Sequence, residues 1–241
     1  SLPPPVFTDP DRKAKLLAAL PALDKHFAEQ LDKHKLPGLA VGVVIDGELV
    51  YEKGFGVRDA ESKAQVTADT VFRIASMTKS FTAMAILKLR DEGRLSLEDP
   101  VDKHLPELAN LPYPTRDSAR ITLRQLLSHS AGFPEDNPWG DRQLAMSEEE
   151  LTRTLARGIP FSSAPNTAYE YSNFGFALLG RVVSRASGVP YPAYVTTNIL
   201  RPLGMTATVF DEREVPKDRL ARGYRREDGA LVPEVNLPDG A

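Results

Sequence analysis

Ser76-Met77-Thr78-Lys79 lies between Thr70-Val71-Phe72-Arg73-Ile74-Ala75, which reads as a short strand, and Phe81-Thr82-Ala83-Met84-Ala85-Ile86-Leu87-Lys88-Leu89. The second run is apolar on nearly every side, the pattern of a helix buried in a core, so the tetrad reads as the opening turn of that helix. Lys79 is the only charge between Ser76 and Leu87. A cation in a first turn sits at the positive end of the helix dipole, which disfavours the ammonium relative to the neutral amine. Broken local rules of this kind mark functional sites. Residues three apart share a helix face, so the Ser76 hydroxyl and the Lys79 amine can meet. They then form a nucleophile and its base, and N–H groups at the helix start can support the anion that develops.

The tetrad alone is weak. With 14 Ser and 11 Lys in 241 residues, chance yields roughly 0.6 Ser-x-x-Lys matches. The bland reading is an N-cap serine followed by a lysine snorkelling out of a core helix. Composition narrows the alternatives. At 41% hydrophobic and 26% charged, the chain has an ordinary globular make-up, enough for one large domain or two small ones. A net charge of −3 carries no basic footprint for nucleic acid, and no apolar run reaches transmembrane length. Zero cysteines exclude disulfides, thiol catalysis and thiolate metal sites within the chain. His26, His34, His104 and His129 show no metal-ligand spacing. The start, Ser1 to Pro10, is a proline-rich extended lead-in, without an initiator Met or a signal-peptide hydrophobic region. It fits either a mature terminus after export, hence a periplasmic or secreted protein, or a cut within a longer chain.

Asp11 to Lys35 reads as a helix with Leu16, Leu17, Leu20, Leu23, Phe27 and Leu31 at helical spacing and Pro21 as a kink. Leu39–Ile45 and Glu48–Glu52 flank Asp46-Gly47, a strong hairpin signal, and the helix is expected to cover one face of that hairpin. Arg120 to His129 reads as a helix capped by Thr122 and stopped near Gly132 and Pro134. Phe133 to Ala145 is a polar loop carrying Trp139, read as a packing anchor or a cleft wall. Ser147-Glu148-Glu149-Glu150 is a capping box opening a helix to about Arg157. Phe174 to Ala186 is apolar and helical, ended by Ser187-Gly188 and Pro190. Ala221 to Val232, with Asp228-Gly229 inside it, is a second and more polar hairpin.

Tyr171-Ser172-Asn173 stands directly before the helix at Phe174. With 7 Tyr and 6 Asn, chance yields roughly 0.2 Tyr-x-Asn matches, so this signal is more specific than the tetrad. A phenol beside a lysine can relay protons to and from a serine. An asparagine two residues on offers amide donors to a substrate carbonyl and an acceptor to the lysine. The bland reading is a capping Asn beside a partly buried Tyr.

Five blocks together resemble the serine β-lactamase-like and penicillin-binding hydrolases, especially the class C-like branch with its esterases and peptidases. They are Leu36-Pro37-Gly38-Leu39-Ala40-Val41-Gly42-Val43, Phe72 to Lys79, Leu126-Leu127-Ser128-His129-Ser130-Ala131-Gly132, Tyr171 to Gly180, and Leu200-Arg201-Pro202-Leu203-Gly204-Met205. The blocks occur in family order, and their joint chance agreement is negligible. The resemblance implies Ser76 as nucleophile, Lys79 as its base partner, Tyr171 as general acid/base and Asn173 as a contact to substrate and lysine. It implies an α/β fold of α+β type, an antiparallel sheet flanked by helices plus a mostly helical part, with the site between them. Residues 1–10 then form the lead-in, 11–75 the first α/β segment, 76–210 the helical part carrying both motifs, and 211–241 a hairpin and loop. His129 is a tempting third member of a triad with serine, but in this block it reads as structural.

The implied function is a serine hydrolase forming a covalent acyl-enzyme on an ester, amide or peptide, without a metal or organic cofactor. An esterase or D-amino-acid peptidase is favoured over a β-lactamase. The alternative is a non-catalytic penicillin-binding sensor or scaffold. Two departures from the pattern stand out. Asn166 follows Pro165 where the family has glycine, a mild change because Asn tolerates left-handed backbone. No Lys-Thr-Gly or His-x-Gly follows Lys79, whereas the family carries such a third motif on a later sheet strand. The expectation is therefore that residues 1–241 work with a C-terminal remainder of the same protein. That remainder would complete the marginal hairpin sheet and the oxyanion hole, and the segment alone would be poorly soluble and silent.

Overall fold

Two Asp-Gly dipeptides set the sheet geometry. At Asp46-Gly47, φ is 55° and 76°, and at Asp228-Gly229 it is 49° and 84°. Positive φ at both central positions defines the type I′ turn, whose twist matches that of the flanking strands. The computed structural model describes residues 6–136 and 146–234. Trp139 and the greater part of the loop around it lie outside the described residues. Within them, strands β1 (Gly38–Ile45) and β2 (Glu48–Gly56) form one antiparallel hairpin, and β3 (Tyr224–Glu227) and β4 (Ala230–Pro233) the other. The first register runs from Ile45↔Glu48 to Gly38↔Gly56, with an irregularity between Val43 and Val44. The strand β2 thus extends four residues past the Glu52 boundary expected from composition, because Gly54 carries no Cβ. A Cβ there would lie 2.2 Å from the Val66 carbonyl oxygen.

The described residues fall into two compact units, 6–73 with 215–234, and 74–214. In the first, α1 (Arg12–Lys33) packs along β2. Its Asp24 accepts hydrogen bonds from Tyr51 Oη at 2.5 Å and Lys53 Nζ at 2.6 Å, and Phe27 meets Phe55 at 6.0 Å between ring centroids. Residues 64–66 fold back along the end of β2, where Arg58 N–H donates to Ala64 O and Val66 N–H to Gly56 O. The expected strand at 70–75 is not formed. Only Val71 pairs, in a parallel bridge with Leu220, and by Ala75 the chain has turned left-handed with φ 44° and entered a 3₁₀ turn. The extended run is too short to build a ladder.

The second unit holds the main core. Helices α2 (Thr78–Asp91), α3 (Val101–His104), α4 (Leu123–Leu127), α5 (Glu148–Ala156), α6 (Asn173–Ser187) and α7 (Tyr191–Val195) follow in order. The chain widens from α7 into a π-turn at Thr196–Leu200. Ser147 and Glu150 form the expected reciprocal capping box, and the expected Thr122 cap proves to be a reciprocal box as well, with Gln125. Gly188, at φ 78°, caps α6 in the left-handed conformation that glycine adopts freely. Ile86, Leu89, Leu123, Leu126, Leu178, Leu179 and Val182 are almost wholly buried, each contributing about 1.5–3 kcal/mol on removal from water. They lock α2 and α4 against α6. Helix α2 is one-sided rather than buried all round: Thr82, Ala85, Ile86 and Leu89 face the core while Met84 is 42% exposed. Helix α4 is only five residues long, since His129 breaks it with φ 55°.

Buried Asp99 ties α3 to the loop before it. Its carboxylate accepts from Lys103 Nζ at 2.7 Å, Ser96 N–H at 2.9 Å and His104 Nε2 at 2.9 Å. Burial pushes the carboxyl up, but those donors outweigh it and hold its pKa at about 2. A depressed carboxylate stabilises the fold above its unfolded pKa, and that stabilisation is lost as pH falls through the folded value. In the full-length protein, Asp99→Asn is therefore expected to cost about 2 kcal/mol at neutral pH. The difference from wild type should vanish between about pH 4 and pH 2, as read by denaturant unfolding across that range.

Candidate active site

The site is built on the entry to α2. Ala75, a non-glycine residue at φ 44°, turns the backbone so that the 3₁₀ turn Ala75–Met77 presents Ser76 to solvent. A left-handed alanine costs roughly 1–2 kcal/mol, a local strain of the kind found where geometry serves function. Lys79 lies one turn on, half-buried, and its Nζ donates to Ser76 Oγ at 3.2 Å. The same ammonium donates to Asn173 Oδ1 at 2.5 Å. It also sits 4.8 Å from the Tyr171 ring centroid and 5.5 Å from that of Phe176, within cation–π range. Tyr171 Oη donates to Ser76 Oγ at 2.7 Å. Ser76, Lys79, Tyr171 and Asn173 therefore form one connected hydrogen-bonded group, with Ser76 Oγ as the shared acceptor.

Tyr171 and Asn173 reach that group because of how α6 begins. A helix start leaves backbone N–H groups without intrahelical partners, and here four consecutive ones are satisfied by side chains. Ser172 N–H donates to His129 Nδ1 at 3.0 Å. Asn173 N–H and Phe174 N–H donate to the two carboxylate oxygens of Asp136 at 2.6 and 2.8 Å. Gly175 N–H donates to Ser172 Oγ at 3.0 Å, and the Ser172 hydroxyl in turn donates to Asp136 at 3.0 Å. A carboxylate at a helix N-terminus also meets the positive end of the dipole.

Asp136 escapes the sequence reading. It sits in a polar loop 37 residues before Asn173, and nothing in its neighbours distinguishes it from the other 32 of the 33 acidic residues. His129 does not take the role of a triad base towards serine, since its Nδ1 receives the Ser172 amide. Its ring lies 4.6 Å from the Tyr171 ring and 5.0 Å from Phe176, with Tyr169 edge-on at 5.6 Å. Burial, then the Lys79 cation, lower the His129 pKa below its ordinary value, while Asp136 acts in the opposite sense. Asn166, the departure after Pro165, is left-handed at φ 65°, and its N–H donates to Ser130 O at 2.8 Å. Asn thus fills a position that glycine would occupy without cost. Among the described residues no group of three or more His, Asp or Glu is placed to hold a metal ion, and no helix is long and apolar enough to cross a membrane.

Residues 23–241 match the family described as Beta-lactamase. The chain belongs to the beta-lactamase family. Protein flp of Staphylococcus aureus (strain N315) is 34% identical over 222 residues, covering 90% of this chain and 44% of flp. Among solved structures, the octameric penicillin-binding protein homologue from Pyrococcus abyssi superposes with a TM-score of 0.78 at 33% identity, covering 91% of this chain and 52% of that one. EstCE1, a hydrolase with promiscuous acyltransferase activity, gives a TM-score of 0.73 at 25% identity, covering 90% and 60% respectively. The beta-lactamase fold thus accounts for the mixed helices and small sheets seen here. The chain spans less than half the length of flp.

Proposed function

We propose that the full-length protein is a serine hydrolase working through an acyl-enzyme on Ser76. The observation that carries this reading is the convergence of Tyr171 Oη and Lys79 Nζ on Ser76 Oγ, at 2.7 and 3.2 Å. With Lys79 as the neutral amine, Ser76 Oγ attacks the carbonyl carbon of an ester or amide as its proton passes, directly or through the Tyr171 hydroxyl, to Lys79 Nζ. The same proton then goes to the departing alkoxide or amine when the tetrahedral intermediate collapses. Water repeats the sequence in reverse on the acyl-enzyme. Asn173, whose Oδ1 accepts from Lys79, holds the amine on the nucleophile's side, and its amide N–H₂ can meet a substrate carbonyl. We favour an ester or a D-amino-acid peptide as substrate over a β-lactam, in keeping with the hydrolase EstCE1 and the penicillin-binding homologue among the structural relatives.

Intact-mass measurement on the full-length protein after exposure to a fluorophosphonate is expected to show a single adduct, mapping to the peptide containing Ser76. Labelling elsewhere, or none, would remove the nucleophile assignment. An adduct on Ser76 without ester or peptide turnover would instead indicate a ligand sensor on the same fold.

A further inference from the structure

The segment 129–136 contributes no atom to the reacting group, yet it holds the half of the site that carries Tyr171 and Asn173. His129 takes the Ser172 N–H at 3.0 Å, and Asp136 takes those of Asn173 and Phe174 at 2.6 and 2.8 Å. The segment is itself pinned. Gly132, at φ 85°, lies so close to the 162–164 backbone that a Cβ would fall 2.3 Å from Ser163 O. Gly132 O accepts from Ser162 N–H at 3.0 Å, and His129 O accepts from Glu170 N–H at 2.8 Å.

We propose that His129 and Asp136 are positioning residues that clamp Tyr171 and Asn173 onto Ser76 and Lys79, and that protonation of His129 opens the clamp. The chemistry of the switch is simple. Nδ1 accepts a hydrogen bond only while it carries a lone pair; the imidazolium has a donor there and faces another donor, the Ser172 N–H. The groups around the ring act in opposite directions. Lys79 on α2 opposes the second cation, Asp136 favours it, Tyr169, Tyr171 and Phe176 line the ring, and the Glu170 carboxylate is engaged by Ser162 Oγ at 2.6 Å. Burial and Lys79 together lower the His129 pKa. The neutral, clamped form therefore prevails at neutral pH, and its contribution is lost as pH falls from the unfolded histidine value towards the folded one.

This inference rests on the hydrolase reading for its kinetic part, and its test separates the two. The rate of Ser76 labelling by a fluorophosphonate is followed against pH in the full-length protein. In parallel, the His129 ring is followed by ¹⁵N-histidine NMR, identified by its contacts to the Tyr171 and Phe176 rings, and hydrogen exchange is followed at the Ser172 amide. Labelling is expected to fall on the acid side with the same midpoint as the His129 titration, and Ser172 protection to fall with it. His129→Asn places a non-titrating acceptor, Oδ1, where Nδ1 lies and suits the left-handed backbone. It should label within about threefold of wild type at neutral pH without that acid limb, whereas His129→Leu should be slower by about tenfold or more at every pH. An acid limb retained in His129→Asn, or a Ser172 amide that stays protected through the His129 titration, overturns the proposal. Absence of Ser76 labelling at any pH would count against the hydrolase reading instead, while the exchange measurement still decides the clamp.

Discussion

Ser76→Ala in the full-length protein is expected to bring ester turnover down to the background rate, a loss of at least about 10⁴-fold, the scale seen when a covalent nucleophile is removed. The reason is structural as well as chemical. Tyr171 Oη and Lys79 Nζ both aim at the single oxygen that this change deletes, and among the described residues no neighbouring hydroxyl is held by the same pair. Thr78 and Ser80 carry the nearest hydroxyls along the chain, and the partners of Lys79 Nζ and Tyr171 Oη are instead Ser76 Oγ and Asn173 Oδ1. Because Ser76 is exposed and lies in a 3₁₀ turn rather than in the core, the melting temperature should hardly move. Turnover assayed with a chromogenic short-chain ester, beside a thermal melt, checks both halves. Residual turnover above a tenth of wild type would leave Ser76 without its role.

The second large effect concerns the proton path. Tyr171→Phe keeps the ring that stacks 4.6 Å from His129 and deletes only the hydroxyl, so it isolates the chemical contribution from the packing one. Lys79→Ala removes the donor to both Ser76 and Asn173. Each is expected to lower kcat by about a hundredfold or more, the usual scale for general acid–base groups, with the fold retained. If Lys79→Ala kept near-native turnover and melted far lower, the residue would be no more than a lysine snorkelling from a core helix.

Much of this arrangement is written in short-range chemistry and was legible as such. The two Asp-Gly turns, the Thr122 cap, the Ser147 capping box and the Gly188 stop each depend on residues within a few positions of one another. The Ser76/Lys79 pair depends only on a three-residue helical spacing, and Tyr171/Asn173 on a distinctive tripeptide. What escaped is long-range or conformational. Residues 70–75 have strand-like composition, but a left-handed Ala75 ends the run, and no local pattern announces a left-handed alanine. Met84 looked like core because the run Phe81–Leu89 is apolar on nearly every side; its exposure follows from which face α6 covers. Asp136 was invisible because a carboxylate that caps a helix from 37 residues away leaves no mark near that helix.

The same long reach has a consequence for how the protein matures. The contacts that build the site join residues 94 and 95 positions apart, and the clamp adds spans of 43 and 37. Loops of this length close late compared with the local helices they connect. Helix α2 can form early, carrying Ser76 and Lys79 together, yet Tyr171 and Asn173 arrive only when α6 docks and the intervening segment has settled around Gly132. On the proposed hydrolase reading, a nascent chain therefore carries its serine without the groups that would make it reactive, and competence arises together with tertiary packing rather than with synthesis of the motif.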